Sequence, residues 1–214
     1  MEKRQQSLAY RPSKTQWIWG NKPLWIAAFL AVAALLSFLK PVVLGDGGAV
    51  TYFSLFVLWL ITFTYGPKTG LVAGLLFGLA KAGITYITGE SMSFAPGALV
   101  LEYPLACAAF ALGAVALRGG DASKRDTKGM ILGYLIGVAG MLVCYVISAQ
   151  LFYAPEFADP LQNLLFNIVY DGSYLAIEVV LTLLVLCVPQ VREVIYYVRR
   201  AATVKLGDPT LNSY

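Results

Sequence analysis

Six apolar runs, separated by short polar breaks, cover most of the chain: residues 24–39, 50–65, 70–88, 98–117, 129–152 and 164–188. About 20 helical residues cross a hydrocarbon core of about 30 Å, so each run is read as one transmembrane helix. The second is short, and its ends must extend into the flanks or sit in a thinned region of bilayer. The breaks carry turn residues: Pro41, Gly45, Gly47 and Gly48, then Gly66 and Pro67, Pro96 and Gly97, Gly119 and Gly120, and finally Pro155 and Pro160. The pattern predicts an all-α integral membrane protein of six transmembrane helices with both termini on one side. Residues 24–189 form the membrane domain, and residues 1–23 and 190–214 are tails.

Composition agrees with lipid as the solvent. Of 214 residues, 58% are hydrophobic and 13% charged, more apolar surface than one soluble core of this size hides. Six spans with short connections also leave no room for a separate soluble domain. The basic residues orient the bundle. Lys3, Arg4, Arg11, Lys14, Lys22, Lys68, Arg118, Lys124, Arg125, Lys128, Arg192, Arg199, Arg200 and Lys205 fall on one face, which is 14 of the 16 lysines and arginines. By the positive-inside rule that face and both termini are cytoplasmic, and Lys40 and Lys81 are assigned to the other face. The connection 153–163 holds Glu156 and Asp159 but no basic residue, as an external loop does. The net charge of +4 therefore reports topology rather than affinity for nucleic acid. Trp17, Trp19 and Trp25 read as an interfacial belt. The polar opening, residues 1–22, is too long and too poor in apolar residues for a signal peptide and is expected to remain on the mature protein.

Candidate chemistry is confined to a few positions. The chain has no histidine, and Cys107, Cys144 and Cys187 sit singly inside apolar runs, so no metal or cofactor is expected and the cysteines read as packing residues. With no phosphate-binding glycine loop and no histidine base for a nucleophile, an enzyme is excluded, and energy from ATP must come from a partner. Glu102, Asp171 and Glu178 lie inside spans, where an ionised group costs about 2.5 to 3.5 kcal/mol at a helix centre. Glu102 and Asp171 share a depth in the outer half of the membrane, and no lysine or arginine in a span is read as neutralising them, so a cation from outside is the expected partner. Tyr103, Tyr145, Tyr153, Tyr170 and Tyr174 cluster near that depth. Carboxylates among aromatic faces suit a flat cationic ring, each well-placed face contributing about 0.5 to 2 kcal/mol. Glu178 reads equally as a buried protonated acid, a residue bonding a neighbouring helix, or part of a deeper path. Small residues recur at four-residue intervals at Ala27 and Ala31, at Ala33 and Ser37, and at Gly70, Gly74 and Gly78. Such stripes allow close helix contact, either within the bundle or with another membrane subunit. A ligand-free assembly protein using them only for packing stays open as an alternative.

Over residues 27–189 the sequence resembles the substrate-binding S components of energy-coupling factor vitamin transporters, specifically the thiamine-specific members. The resemblance is carried by Ala27 and Ala31, by the segment Tyr65-Gly66-Pro67-Lys68-Thr69-Gly70, by Leu101-Glu102-Tyr103-Pro104, by Phe152-Tyr153-Ala154-Pro155, and by Tyr170-Asp171-Gly172-Ser173-Tyr174. It implies an S-component-like bundle in a prokaryotic plasma membrane. The bundle would bind thiamine or a related cationic aromatic compound in an outward-facing pocket, for uptake driven by a transmembrane coupling subunit and two ATPase subunits. Glu102 and Tyr103 match the family's ligand-contacting pair, and Ala27 and Ala31 match its subunit-contacting pair. Elsewhere the family's histidine falls at Tyr145, its tryptophan at Tyr153, a tyrosine at Phe166 and an asparagine at Asp171. Aspartate in place of asparagine favours a more strongly cationic ligand, so an S component of the same fold with another substrate is the second reading.

Overall fold

Each apolar run holds a helix, and all but the second begin where a capping side chain or a proline allows it. The computed structural model describes residues 20–43, 48–90, 92–117 and 125–203. Trp17, Trp19 and seven of the basic residues used for orientation (Lys3, Arg4, Arg11, Lys14, Arg118, Lys124, Lys205) lie outside them. Helix α1 spans Lys22–Ser37, and the Asn21 side chain accepts from the Leu24 amide. Helix α2 spans Ser54–Tyr65, α3 Pro67–Ile87 and α4 Pro96–Ala116. Helix α5 spans Thr127–Phe152, and Asp126 accepts from the Gly129 amide at 2.8 Å. Helix α6 spans Pro160–Cys187, with Asp159 accepting from the Leu161 amide at 2.9 Å. Pro67, Pro96 and Pro160 open their helices, where the missing N–H costs nothing.

Helices α3 to α6 are long and apolar enough to cross a membrane, whereas α1 and α2 are shorter apolar helices. Helix α2 has only 12 residues, about 18 Å of rise. The first part of the second apolar run is spent on a strand pair that the pattern did not predict. Strands β1 (Val42–Val43) and β2 (Ala49–Val50) are antiparallel, with Val42 opposite Val50. Two-residue strands are too short to leave a period in the sequence. The turn into α2 passes through Phe53, whose φ of 57° is the only positive value at a described non-glycine residue.

A seventh helix, α7 (Pro189–Thr203), occupies the start of the segment read as a tail. It turns Tyr196, Arg199, Ala201 and Ala202 onto the bundle, and the Arg199 guanidinium lies 4.0 Å from the centre of the Phe63 ring. The Ala201 carbonyl accepts from the Gly20 amide at 3.0 Å, and the Ala202 carbonyl accepts from the Tyr65 hydroxyl at 2.9 Å. Both described ends of the chain thus meet at one end of the bundle, beside the α2–α3 turn.

Close packing at that end rests on small residues. A Cβ added at Gly113 would lie 2.1 Å from the Gly133 carbonyl oxygen, and one at Gly133 2.4 Å from the Trp59 ring. Trp59 is fully buried, and its indole N–H donates to the Met130 carbonyl at 2.9 Å. Gly74 and Gly78 on α3 press against the backbone of α4 around Cys107–Ala108 and Tyr103–Pro104, so the glycine stripe serves the bundle itself. The α1 stripes divide: Ala33 and Ser37 are buried, while Ala27 and Ala31 face outwards.

Candidate functional site

At the opposite end the helices part around a cavity of about 370 Å³. Its wall comes from Lys40 beyond the end of α1, strand β2 and its flanks, the C-terminal halves of α3 and α5, the N-terminal half of α4 and the stretch 166–174 of α6. All eight residues singled out from the sequence for ligand binding line it: Glu102, Tyr103, Tyr145, Tyr153, Phe166, Tyr170, Asp171 and Tyr174.

Local irregularity in α4 presents the first pair. Residues Leu101–Leu105 wind as one wide π turn around Pro104, and the Ala106 amide reaches back to the Leu101 carbonyl five residues earlier. Proline has no N–H for the regular ladder, and the wider turn accommodates that loss. Glu102 and Tyr103 sit in this turn. Glu102 accepts from the Ser148 hydroxyl at 2.7 Å through Oε1 and from the Tyr153 hydroxyl at 3.2 Å through Oε2. Two donors from α5 and its C-terminal end therefore fix the carboxylate at the cavity wall.

Helix α6 supplies the aromatic wall. Phe166, Tyr170 and Tyr174 recur every four residues and stand on one face. Phe166 and Tyr170 stack at 6.0 Å between ring centres, Tyr170 meets Tyr174 edge-on at 6.3 Å, and Tyr145 from α5 tilts against Tyr174 at 6.2 Å. Asp171 adjoins this face and accepts from the Tyr174 hydroxyl at 3.1 Å. It is 9% exposed, and the exposed part opens on the cavity.

Glu178 continues the same four-residue series but does not line the cavity. It accepts from the Thr51 amide at 3.3 Å, the Thr51 hydroxyl at 2.8 Å and the Leu55 amide at 3.3 Å. Those groups surround the start of α2, where Phe53 offers no side-chain cap. Of the three sequence readings, the structure selects the helix-bonding one. Glu178 caps α2 from across the bundle, accepting from amides that the start of the helix leaves without an internal partner.

One expectation is corrected. Lys81 was assigned to the outer face, with no cation left inside a span, but it lies within α3 and its ammonium faces the cavity. Its Nζ donates to the Tyr145 hydroxyl at 3.2 Å. The physical reason is register: Lys81 and Thr85 follow Gly78 by three and seven residues and extend the glycine stripe that faces α4. That spacing is the signal by which the sequence reveals Lys81 as an inward residue. Lys40, assigned from the sequence to the same face as Lys81, pairs with Glu90, which the sequence reading passed over, in the cavity wall. Asn167, four residues before Asp171, completes the α6 face. Altogether Glu90, Glu102, Glu156 and Asp171 face Lys40 and Lys81, leaving the cavity anionic.

Long apolar helices around a polar, aromatic-walled cavity define a multi-pass membrane protein with a solute-sized site, since small-molecule pockets occupy about 300 to 1,000 Å³. The family model of the thiamine transporter protein family (Thia_YuaJ) matches residues 24–197, and the chain belongs to that family. It is accordingly a transport protein of the cell membrane and not an enzyme. Among similar proteins is the thiamine transporter ThiT of Bacillus subtilis (strain 168), 28% identical over 170 residues that cover 76% of this chain and 86% of the relative. A solved structure of ThiT from Listeria monocytogenes superposes with a TM-score of 0.56 at 22% identity, covering 88% of this chain and 96% of that one, which shows a shared fold.

Proposed function

We propose that this chain is the substrate-binding S component of an energy-coupling factor transporter, with six membrane spans. It takes thiamine or a related cationic aromatic compound from outside the cell. The observation that carries the reading is the meeting of Glu102, Asp171 and the tyrosine wall in one anionic cavity. A thiazolium-type cation gains charge pairing from the two carboxylates, and its flat rings gain stacking from Tyr145, Tyr170 and Tyr174. Orientation rests on charge. Lys22, Lys68, Arg125, Lys128, Arg192, Arg199 and Arg200 belong to the end of the bundle opposite the cavity, and the positive-inside rule makes that end cytoplasmic. The cavity then faces outwards and both termini lie inside. Uptake requires ATP hydrolysed by partners, namely a transmembrane coupling subunit and two ATPase subunits, with the exposed Ala27 and Ala31 as the docking stripe on α1.

Calorimetric titration of the purified protein with thiamine tests the reading. Calorimetry is preferable to indole fluorescence because neither Trp25 nor Trp59 lines the cavity. Saturable binding of one thiamine per chain is the expected result. The replaced family positions and Lys81 favour a second reading, the same subunit with another cationic aromatic substrate. Absence of thiamine binding, together with a different small molecule released from the purified protein and identified by mass spectrometry, would establish it. Binding of no small molecule would return the chain to a purely structural role.

A further inference from the structure

The cavity is two-signed. Lys81 stands in its wall with no carboxylate of the described residues within ion-pair distance, their ion pairs being Lys40 with Glu90 and Arg125 with Glu193. An ammonium has three donors, and the structure uses one of Lys81's, on the Tyr145 hydroxyl oxygen at 3.2 Å. Because Tyr145 accepts from Lys81, its own O–H is also free to be donated. The ammonium lies 5.9 Å from the centre of the same ring, so tyrosine and lysine form one unit. A lysine held inside a membrane span and facing a cavity is costly unless something that enters the cavity accepts from it.

We infer that Lys81 and Tyr145 form a hydrogen-bond donor subsite that reads an acceptor group on the bound compound, while Glu102 and Asp171 read its cationic part. The substrate class is therefore narrower than a flat cation: an aromatic cation carrying ring nitrogens or another acceptor away from its charge. This inference rests on the thiamine-type reading above. A ligand with positive charge alone is repelled by Lys81 and receives nothing in return, whereas thiamine offers the nitrogens of its aminopyrimidine. Lys81 is thus a specificity-determining residue that disfavours simple cationic rings.

The test uses two probes on the purified full chain. One is thiamine. The other is its benzyl analogue, in which a phenyl ring replaces the aminopyrimidine while the thiazolium and hydroxyethyl groups stay. Calorimetry on Lys81→Met should show thiamine binding weakened about ten- to hundred-fold, and the benzyl analogue bound as well as by the wild type or more tightly. Opposite responses of the two probes cannot come from a general loss of structure, and retained analogue binding doubles as the check on folding. Tyr145→Phe, which removes the acceptor for Lys81 and the second donor, should shift the ratio of the two affinities in the same direction and serves if Lys81→Met does not fold. Equal weakening of both probes, or no change in either, would overturn the donor subsite while leaving thiamine binding by the wild type intact. Wild-type protein that binds neither probe would overturn the thiamine-type reading and the subsite with it.

Discussion

The same helices behave differently at the two ends of the bundle. Around Trp59, α4 and α5 come together through Gly113 and Gly133, and the indole is fully buried with its N–H bonded. Two helical turns and more along α4, the π turn at Leu101–Leu105 still meets α3 at Gly78, but its other side and the bulky side chains Tyr103, Tyr145 and Tyr174 border a cavity. Small residues let backbones touch, and in lipid close backbone approach supplies much of the association energy. Large polar residues prevent it and leave a space for a solute. On the proposed function the packed end carries stability and the open end recognition, so perturbing one should leave the other comparatively unaffected.

Five substitutions sharpen or break this division, taken from the largest expected effect on the purified protein to the smallest. Gly133→Val places methyl groups into the Trp59 ring and the Gly113 carbonyl and should destabilise by about 3 kcal/mol, the upper end for overpacking. Thermal unfolding in detergent reads it, and an unchanged midpoint would mean that this end is not closely packed. At the open end, Glu102→Gln and Asp171→Asn keep shape and remove charge. Glu102→Gln should weaken binding of thiamine or another cationic ligand by about 1.5 to 3 kcal/mol, and Asp171→Asn should do so for a ligand more strongly cationic than thiamine, each with little change in unfolding temperature. Asp171→Asn also restores the asparagine of the thiamine-binding relatives. If thiamine is the native ligand its loss there is small, and if the native ligand is more strongly cationic, thiamine gains.

Glu178→Ala tests the boundary between the ends. It leaves the Thr51 and Leu55 amides without their acceptor, which should cost about 1 to 2 kcal/mol of stability, the loss of a helix cap. Calorimetry should find the ligand's affinity changed less than by either cavity substitution. A larger effect on binding than on unfolding would assign Glu178 to the site. Last, Ala31→Leu alters an outward-facing position and should shift stability by no more than about 0.5 kcal/mol. Ligand binding should persist while uptake in cells falls. Loss of binding in parallel with uptake would place Ala31 in the bundle's own packing.

Much of this was legible from residue order alone. Apolar helices follow from the length of an apolar run, a property of the chain by itself: each of the six runs holds a helix, and four of these are long enough to cross a membrane. The carboxylates Glu102 and Asp171 were recognisable for the same reason, because an acid inside such a run stands out against its neighbours. Tertiary structure decided which way residues face. The glycine stripe of α3 marks Lys81 as facing a neighbouring helix, but only the approach of α5 sets its ammonium in the cavity beside Tyr145. Likewise nothing local to Glu178 distinguishes it from Asp171, two turns away on the same helix. Only the approach of Thr51 and Leu55, 127 and 123 residues distant in sequence, makes one acid a helix cap and leaves the other open to a solute.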